Sequence, residues 1–284
     1  MATAGDPATP RRKMSGELRE ARTSAHLTRE ATVKALGWSL SKLVRIEAGQ
    51  QGVSLTDLRA MLELYNVTDA GSVYELTDLA QESRRPTWCS SYRGVISKQY
   101  GQYLGYEGSA SYLRVFHPLL VPGLLHTAEY AFELLRIRMP EDRARLLVDL
   151  RMERQERVLR QPNPPEMKFV VAEEAFIRKI GGAAGMARQL EHLLAIGSAP
   201  AVSLQVLPLS VGAHVGLTGS FILLGLDETK EDLLFLEGPA GDLTARDDRQ
   251  VIEPFIDHFN ALSALALSAE ETRPLIRHYM ESAS

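Results

Sequence analysis

The sequence predicts two domains of different class. The first is an all-α five-helix N-terminal domain built around a helix-turn-helix pair. The second is an α+β C-terminal domain with a small sheet and flanking helices. Three observations carry this. The chain has 284 residues, about twice a common domain length. Its first ~80 residues fall into short apolar-periodic segments, each opened by a capping residue and closed by Gly or a polar turn. Beyond Pro165 the pattern changes to short apolar runs bounded by Gly, Pro and Asp, the signature of strands.

Residues 1–13 are rich in Ala, Pro, Thr and Gly and are expected to form a disordered arm. A first helix follows from about Ser15 to about Ala25. Thr28 caps "REATVKAL", Gly37 stops it, and Ser39 caps the next short helix, which ends at "AGQQG". Ser54 with Asp57 three residues on resembles a capping box for "LTDLRAMLELYN". "AGSVYELTDLAQE" completes the five. Pro86 in "ESRRPTW" marks the boundary, giving a helix-turn-helix domain at 14–86 and a second domain at 87–284.

In the second domain a helix is expected from about Tyr92 to Phe116, then a turning segment, "HPLLVPGLL". Thr127 caps "AEYAFELLRI". In "RMERQERVLR" the arginines are interleaved with Glu153 and Glu156, so a solvated, ion-paired helix face is expected. "MKFVVA", "VSLQVLPL", "GSFILLGL" and "DLLFLEG" read as strands; "EEAFIRKIGG" and "MARQLEHLLAI" read as helices. Two helices close the chain, the last opened by Ser268 and Glu271 as a capping box, and Asp247 and Asp248 read as a turn and helix cap.

Composition excludes several function classes. No apolar run approaches the ~18 residues of a membrane span, "MATAGDPATPRRK" lacks a signal-peptide core, and the one cysteine, Cys89, cannot form an internal disulfide. A cytoplasmic protein with no membrane association is expected. The net charge is −4, but residues 1–60 hold ten Lys/Arg and six Asp/Glu, a balance of +4, leaving −8 for the rest. That asymmetry permits a nucleic-acid footprint at the N-terminal end. No nucleophile elbow, phosphate-binding loop or paired-cysteine motif is present, and the histidines of the second domain show no metal spacing. No cofactor, metal or catalytic residue is therefore expected. His214, in the Gly-flanked loop "GAHVG", is the one candidate ligand contact. The alternative is an enzyme with an accessory DNA-binding domain, its active site within residues 165–250.

The stretch "LGWSLSKLVRIEAG", residues 36–49, carries the sharpest signal. Ser39, Ser41, Lys42 and Arg45 gather on one side of a short helix, while Leu43 and Ile46 take the other. Such a ridge fits a major groove ~12 Å wide. Arg45 can fork onto guanine, the serines can reach phosphates or base edges, and Lys42 suits phosphate.

The run from "LREAR" through "LTREATVKALGWSLSKLVRIEAGQ" to "VSLTDLRAMLELYNV" resembles the phage-repressor, Xre-type helix-turn-helix family. The resemblance implies that Ser39, Ser41, Lys42 and Arg45 read the operator, that Arg29 holds a phosphate, and that Arg22 and Glu47 form a structural ion pair. Leu40 departs from the family pattern, where a polar residue is common. Residues 87–280, through "VPGLLHTAEYAFELL", "FVVAEEAFIRKIGG" and "VSLQVLPLSVGAHVGLTGSFILLGL", resemble the C-terminal domain of actinobacterial WhiJ-like, or Scr-type antitoxin-like, regulators. His126 stands where that family usually has Gln. The resemblance implies a regulator of a double-stranded DNA operator whose partner is a small acidic protein encoded by a neighbouring gene, or a ligand. A homodimer is expected, because one recognition helix reads too few base pairs. The helix "VIEPFIDHFNALSALAL", apolar on more than one side, is its expected seat in residues 87–284.

Overall fold

Helix caps and the switch to period-two burial fix where each element lies. The computed structural model describes residues 7–49, 51–84, 87–226, 231–237, 243–246 and 248–283. The chain divides into two compact units, residues 1–91 and 92–284.

Among the described residues, the first unit holds α1 (Ala8–Ser24), α2 (Arg29–Leu36), α3 (Leu40–Glu47), α4 (Leu55–Leu64) and α5 (Ala70–Glu82). The side chains of Thr28, Ser39, Ser54 and Asp69 each accept the amide hydrogen three residues on, satisfying a donor that the first turn leaves free. Gly37 closes α2 at φ 67°, a left-handed conformation that a β-carbon disfavours. Met14, Leu18, Leu43, Ile46, Leu58, Met61, Leu62 and Leu76 form one core. The disordered arm is corrected in part. Helix α1 starts at Ala8 and buries Arg12, Met14 and Ser15. The helix is held at that end because the Arg11 guanidinium donates to the Ser83 carbonyl at 2.6 Å, a long-range contact that composition cannot reveal. Residues 1–6 lie outside the described residues.

The second unit opens with α6 (Lys98–Glu107) and β1 (Tyr112–His117), followed by α7 (Ala128–Leu135), α8 (Glu141–Leu159) and β2 (Glu166–Ala172). A single turn, α9 (Glu174–Ile177), then α10 (Gly182–Ile196), β3 (Val202–Leu207), β4 (Phe221–Leu226), β5 (Glu231–Leu236), β6 (Leu243–Arg246), α11 (Arg249–Leu265) and α12 (Ala269–Ala283) complete it. The strands make one sheet of order β3-β2-β1-β4-β5-β6. Strands β1, β2 and β3 pair in parallel; β1–β4, β4–β5 and β5–β6 pair antiparallel. The helices α7, α8 and α10 lie within the long connections that parallel neighbours need.

Two sequence expectations are corrected here. The helix expected over 92–116 is α6 followed by β1, because "YLRVFH" carries β-branched and aromatic residues with Leu113, Val115 and Phe116 buried on the pleat. Helix α11 buries one apolar stripe rather than two faces, and leaves Val251 and Leu265 exposed. Ile252, Phe255, Ile256, Phe259 and Leu262 all pack into a single cluster with Phe116, Val170, Leu207 and Leu223 of the sheet. Asp248 caps α11, its carboxylate accepting from Val251 N–H at 3.4 Å; Asp247 lies outside the described residues. The Ser268–Glu271 box closes reciprocally at 2.9 and 3.2 Å.

Candidate nucleic-acid interface

Helix α3 presents four side chains to solvent: Leu40, Ser41, Val44 and Arg45. They lie at i, i+1, i+4 and i+5, one continuous stripe of a 3.6-residue repeat. Leu43, Ile46 and Glu47 are buried on the other side. Ser39 is exposed at the N-cap, with its oxygen 3.2 Å from Lys42 N–H. Ser41 is exposed one turn before Arg45.

Arg45 is pre-set rather than loose. Its Nε donates to the Gln51 side-chain oxygen at 3.2 Å. That leaves the two terminal nitrogens, the pair that can fork onto the O6 and N7 of guanine. Gln51 was not singled out from the sequence, since its role depends on the chain folding back after α3.

Two expected contacts are redirected. Lys42 sits on the flank of α3 nearest the core. Its ammonium is 3.0 Å from Asp57 Oδ1 on α4 and 3.7 Å above the Trp38 ring. The cation expected to meet phosphate is thus held within the domain by an ion pair and a cation–π contact. Asp57, expected to reach back in a capping box, spends its carboxylate there. Arg29 is half-exposed, but its Nε donates to Glu47 Oε2 at 2.8 Å. Only its terminal nitrogens remain for a phosphate.

The structure brings Arg22 and Glu47 together: Arg22 Nε lies 2.6 Å from Glu47 Oε1. Arg22 also donates to the Leu27 carbonyl at 2.7 Å. Glu47 therefore ties the end of α3 to both α1 and α2. A carboxylate at a helix C-terminus is disfavoured by the helix dipole, and two guanidinium groups offset that. Leu40 and Val44 add what the polar reading omitted, two apolar groups on the exposed stripe that suit thymine methyls.

In the second unit, His214 caps a short 3₁₀ turn. Its Nδ1 accepts from Gly216 N–H at 3.1 Å, and its ring meets Phe116 edge-on. Two cavities of that unit lie elsewhere, and neither is lined by His214.

The comparisons agree with this division. A family model described as a domain of unknown function, DUF5753, matches residues 100–278, well over half of the chain. The chain belongs to the DUF5753 family. A helix-turn-helix domain model matches residues 13–71 of this DUF5753 protein, covering α2, α3 and their neighbours. The N-terminal unit is thus a helix-turn-helix domain of the kind that DNA-binding regulators carry. No curated relative and no solved structure matches the chain.

Proposed function

We propose that this DUF5753 protein is a cytoplasmic, sequence-specific transcriptional regulator of Xre type, akin to the WhiJ-like, antitoxin-like regulators, and not an enzyme. Helix α3 enters the major groove. Arg45 reads a guanine, Leu40 and Val44 pack on base methyls, and Ser39 and Ser41 contact the backbone or base edges. The chain acts as a homodimer, since two recognition helices one DNA turn (~34 Å) apart give the specificity that one cannot. The C-terminal unit receives the signal, from a small acidic protein or a small ligand.

The observation that carries the reading is the exposed α3 stripe with Arg45 held at Nε by Gln51. A solvated helix face has no need of an aimed guanidinium. Selection of bound DNA from a random pool tests it. The full-length protein should enrich a two-fold symmetric site. Arg45→Ala should lose about 1–3 kcal/mol there and relax preference at one position per half-site. Equal loss on every sequence would assign Arg45 to phosphate and remove it from base readout.

A further inference from the structure

The second unit encloses a cavity of about 310 Å³ between the sheet, α8 and the 117–126 segment. Small-molecule sites begin near ~300 Å³, and at ~30 Å³ per water this space equals about ten waters. Strand register builds its floor. Phe169 pairs with Val115, Val115 with Ile222, and Ile222 with Phe235, and all four side chains line the cavity. They form one apolar row across β2, β1, β4 and β5.

The polar groups over that row are donors. His117 Nδ1 accepts from the Leu119 and Leu120 amides at 3.2 and 3.0 Å. The hydrogen of the neutral ring is therefore on Nε2, which has no acceptor among the described residues. Burial holds the His117 pKa down at about 4, so the ring remains a neutral donor at neutral pH. Tyr100 accepts from Arg154 at 3.3 Å, leaving its own O–H to donate.

Arg151 is the decisive group. Its Nη1 lies 2.7 Å from His126 Nδ1, and His126 Nε2 lies 2.7 Å from the Val121 carbonyl. A carbonyl only accepts, so Nε2 carries the proton and Nδ1 accepts from Arg151. Burial, then the Arg151 charge, keeps His126 well below the ordinary histidine range. Arg151 therefore rests on a neutral ring, with no carboxylate in ion-pair range among the described residues. Its neighbour Arg154 differs. It is fully matched, donating to both oxygens of the buried Glu107 at 2.6 Å. The acceptors at the cavity are few: the exposed Glu237 and the half-buried Ser220.

An apolar row under an uncompensated cation and two spare donors calls for a ligand that brings its own anion. We infer that this cavity binds a compact organic acid, with one carboxylate meeting Arg151 and the His117 Nε2–H and an apolar or aromatic body lying on the Val115–Ile222 row. The assignment deepens the reading of the C-terminal unit as a sensor and rests on that reading for its purpose.

Calorimetric titration of the full-length protein without DNA separates the two. The probes are benzoate, phenylacetate and phenylpropionate, each set against its primary amide. At least one acid should bind, with its amide at least about tenfold weaker. Arg151→Gln should cost the acid about tenfold to a hundredfold and leave the amide unchanged, as loss of a charged hydrogen bond implies. Ile222→Phe, which fills the floor, should weaken acid and amide together, and decides the matter if Arg151→Gln does not fold. No acid binding, equal binding of acid and amide, or binding indifferent to both variants overturns the site. An acid that binds without changing the affinity of the operator complex supports the site and overturns the sensor reading.

Discussion

Replacing Glu47 with Gln tests what holds the recognition helix. The Glu47 carboxylate is 1% exposed, and it meets Arg22 at 12% exposure and Arg29 at 44%. Removing one partner of a buried ion pair costs ~3–5 kcal/mol, mostly because the other charge is left uncompensated. Here the stranded cations keep some access to water, Arg29 more than Arg22. The low end, about 3 kcal/mol, is the expected loss. Arg29→Met, which removes the more exposed partner, should cost only about 1 kcal/mol. The assay is specific to one unit, because both tryptophans of the chain, Trp38 and Trp88, lie within residues 1–91. Urea unfolding followed by tryptophan emission then reports that unit. With a slope of about 1–3 kcal/mol per M, the midpoint should fall by about 1–3 M. In a double-mutant cycle, Arg22→Met with Glu47→Gln should lose clearly less than the sum of the single losses. An unchanged midpoint for Glu47→Gln, or strict additivity, would refute the idea that this carboxylate fastens α3 to α1 and α2.

Lys42→Met should destabilise the first unit by about 1 kcal/mol, by loss of the Trp38 and Asp57 contacts, shift Trp38 emission, and weaken operator binding less than Arg45→Ala does; a larger effect on DNA than that of Arg45→Ala in a salt-titrated gel shift would return Lys42 to the interface. Gly225→Ala should destabilise the second unit by several kcal/mol or prevent its folding, since a β-carbon there would sit 1.8 Å from the Tyr112 ring on the paired strand; calorimetry showing a wild-type transition would disprove that contact. His117 gives a pH dependence. Its folded pKa, about 4, lies below the ordinary 6.5, so the unfolded chain binds its proton more readily. Its stabilisation is full above pH ~6.5 and is lost as pH falls towards ~4. His117→Asn, which can still accept from the Leu119 and Leu120 amides, should flatten that part of the stability curve. Unaltered curvature in scanning calorimetry across the window would show that His117 does not titrate this way.

Most of the first unit was legible because its signals are local. Thr28, Ser39 and Ser54 announce helix starts, Gly37 a stop, and the spacing of Leu43 and Ile46 the buried side of α3. What escaped depends on contacts between distant residues. The sequence offers Lys42 and Arg45 as two similar cations. Only the fold shows one turned inward to Trp38 and Asp57 and the other aimed outward by Gln51. In the second unit, strands bounded by Gly and Pro were readable. Strand β1 was not, because its short run follows a helical segment after only four residues, and the Gly108 that ends α6 was not read as a stop.

Helix α8 shows the same limit within one element, and its two arginine types have different work. Arg157 and Arg160 pair with Glu153 and Glu156 four residues back, at 2.9 and 3.2 Å on the exposed face, as interleaved charge predicts. Arg154 and Arg151 point the other way. A buried pair such as Arg154–Glu107 adds little net stability over apolar packing, because desolvation opposes the Coulomb gain. What it adds is position. Arg154 donates to Tyr100 and Tyr103 as well as to Glu107, and the Tyr103 ring stacks on Phe235 with centroids 4.3 Å apart. One neutralised arginine thus fixes Tyr100 and, through Tyr103, the Phe235 end of the cavity floor, while the arginine one turn earlier, Arg151, rests on the neutral His126 ring and on no carboxylate among the described residues.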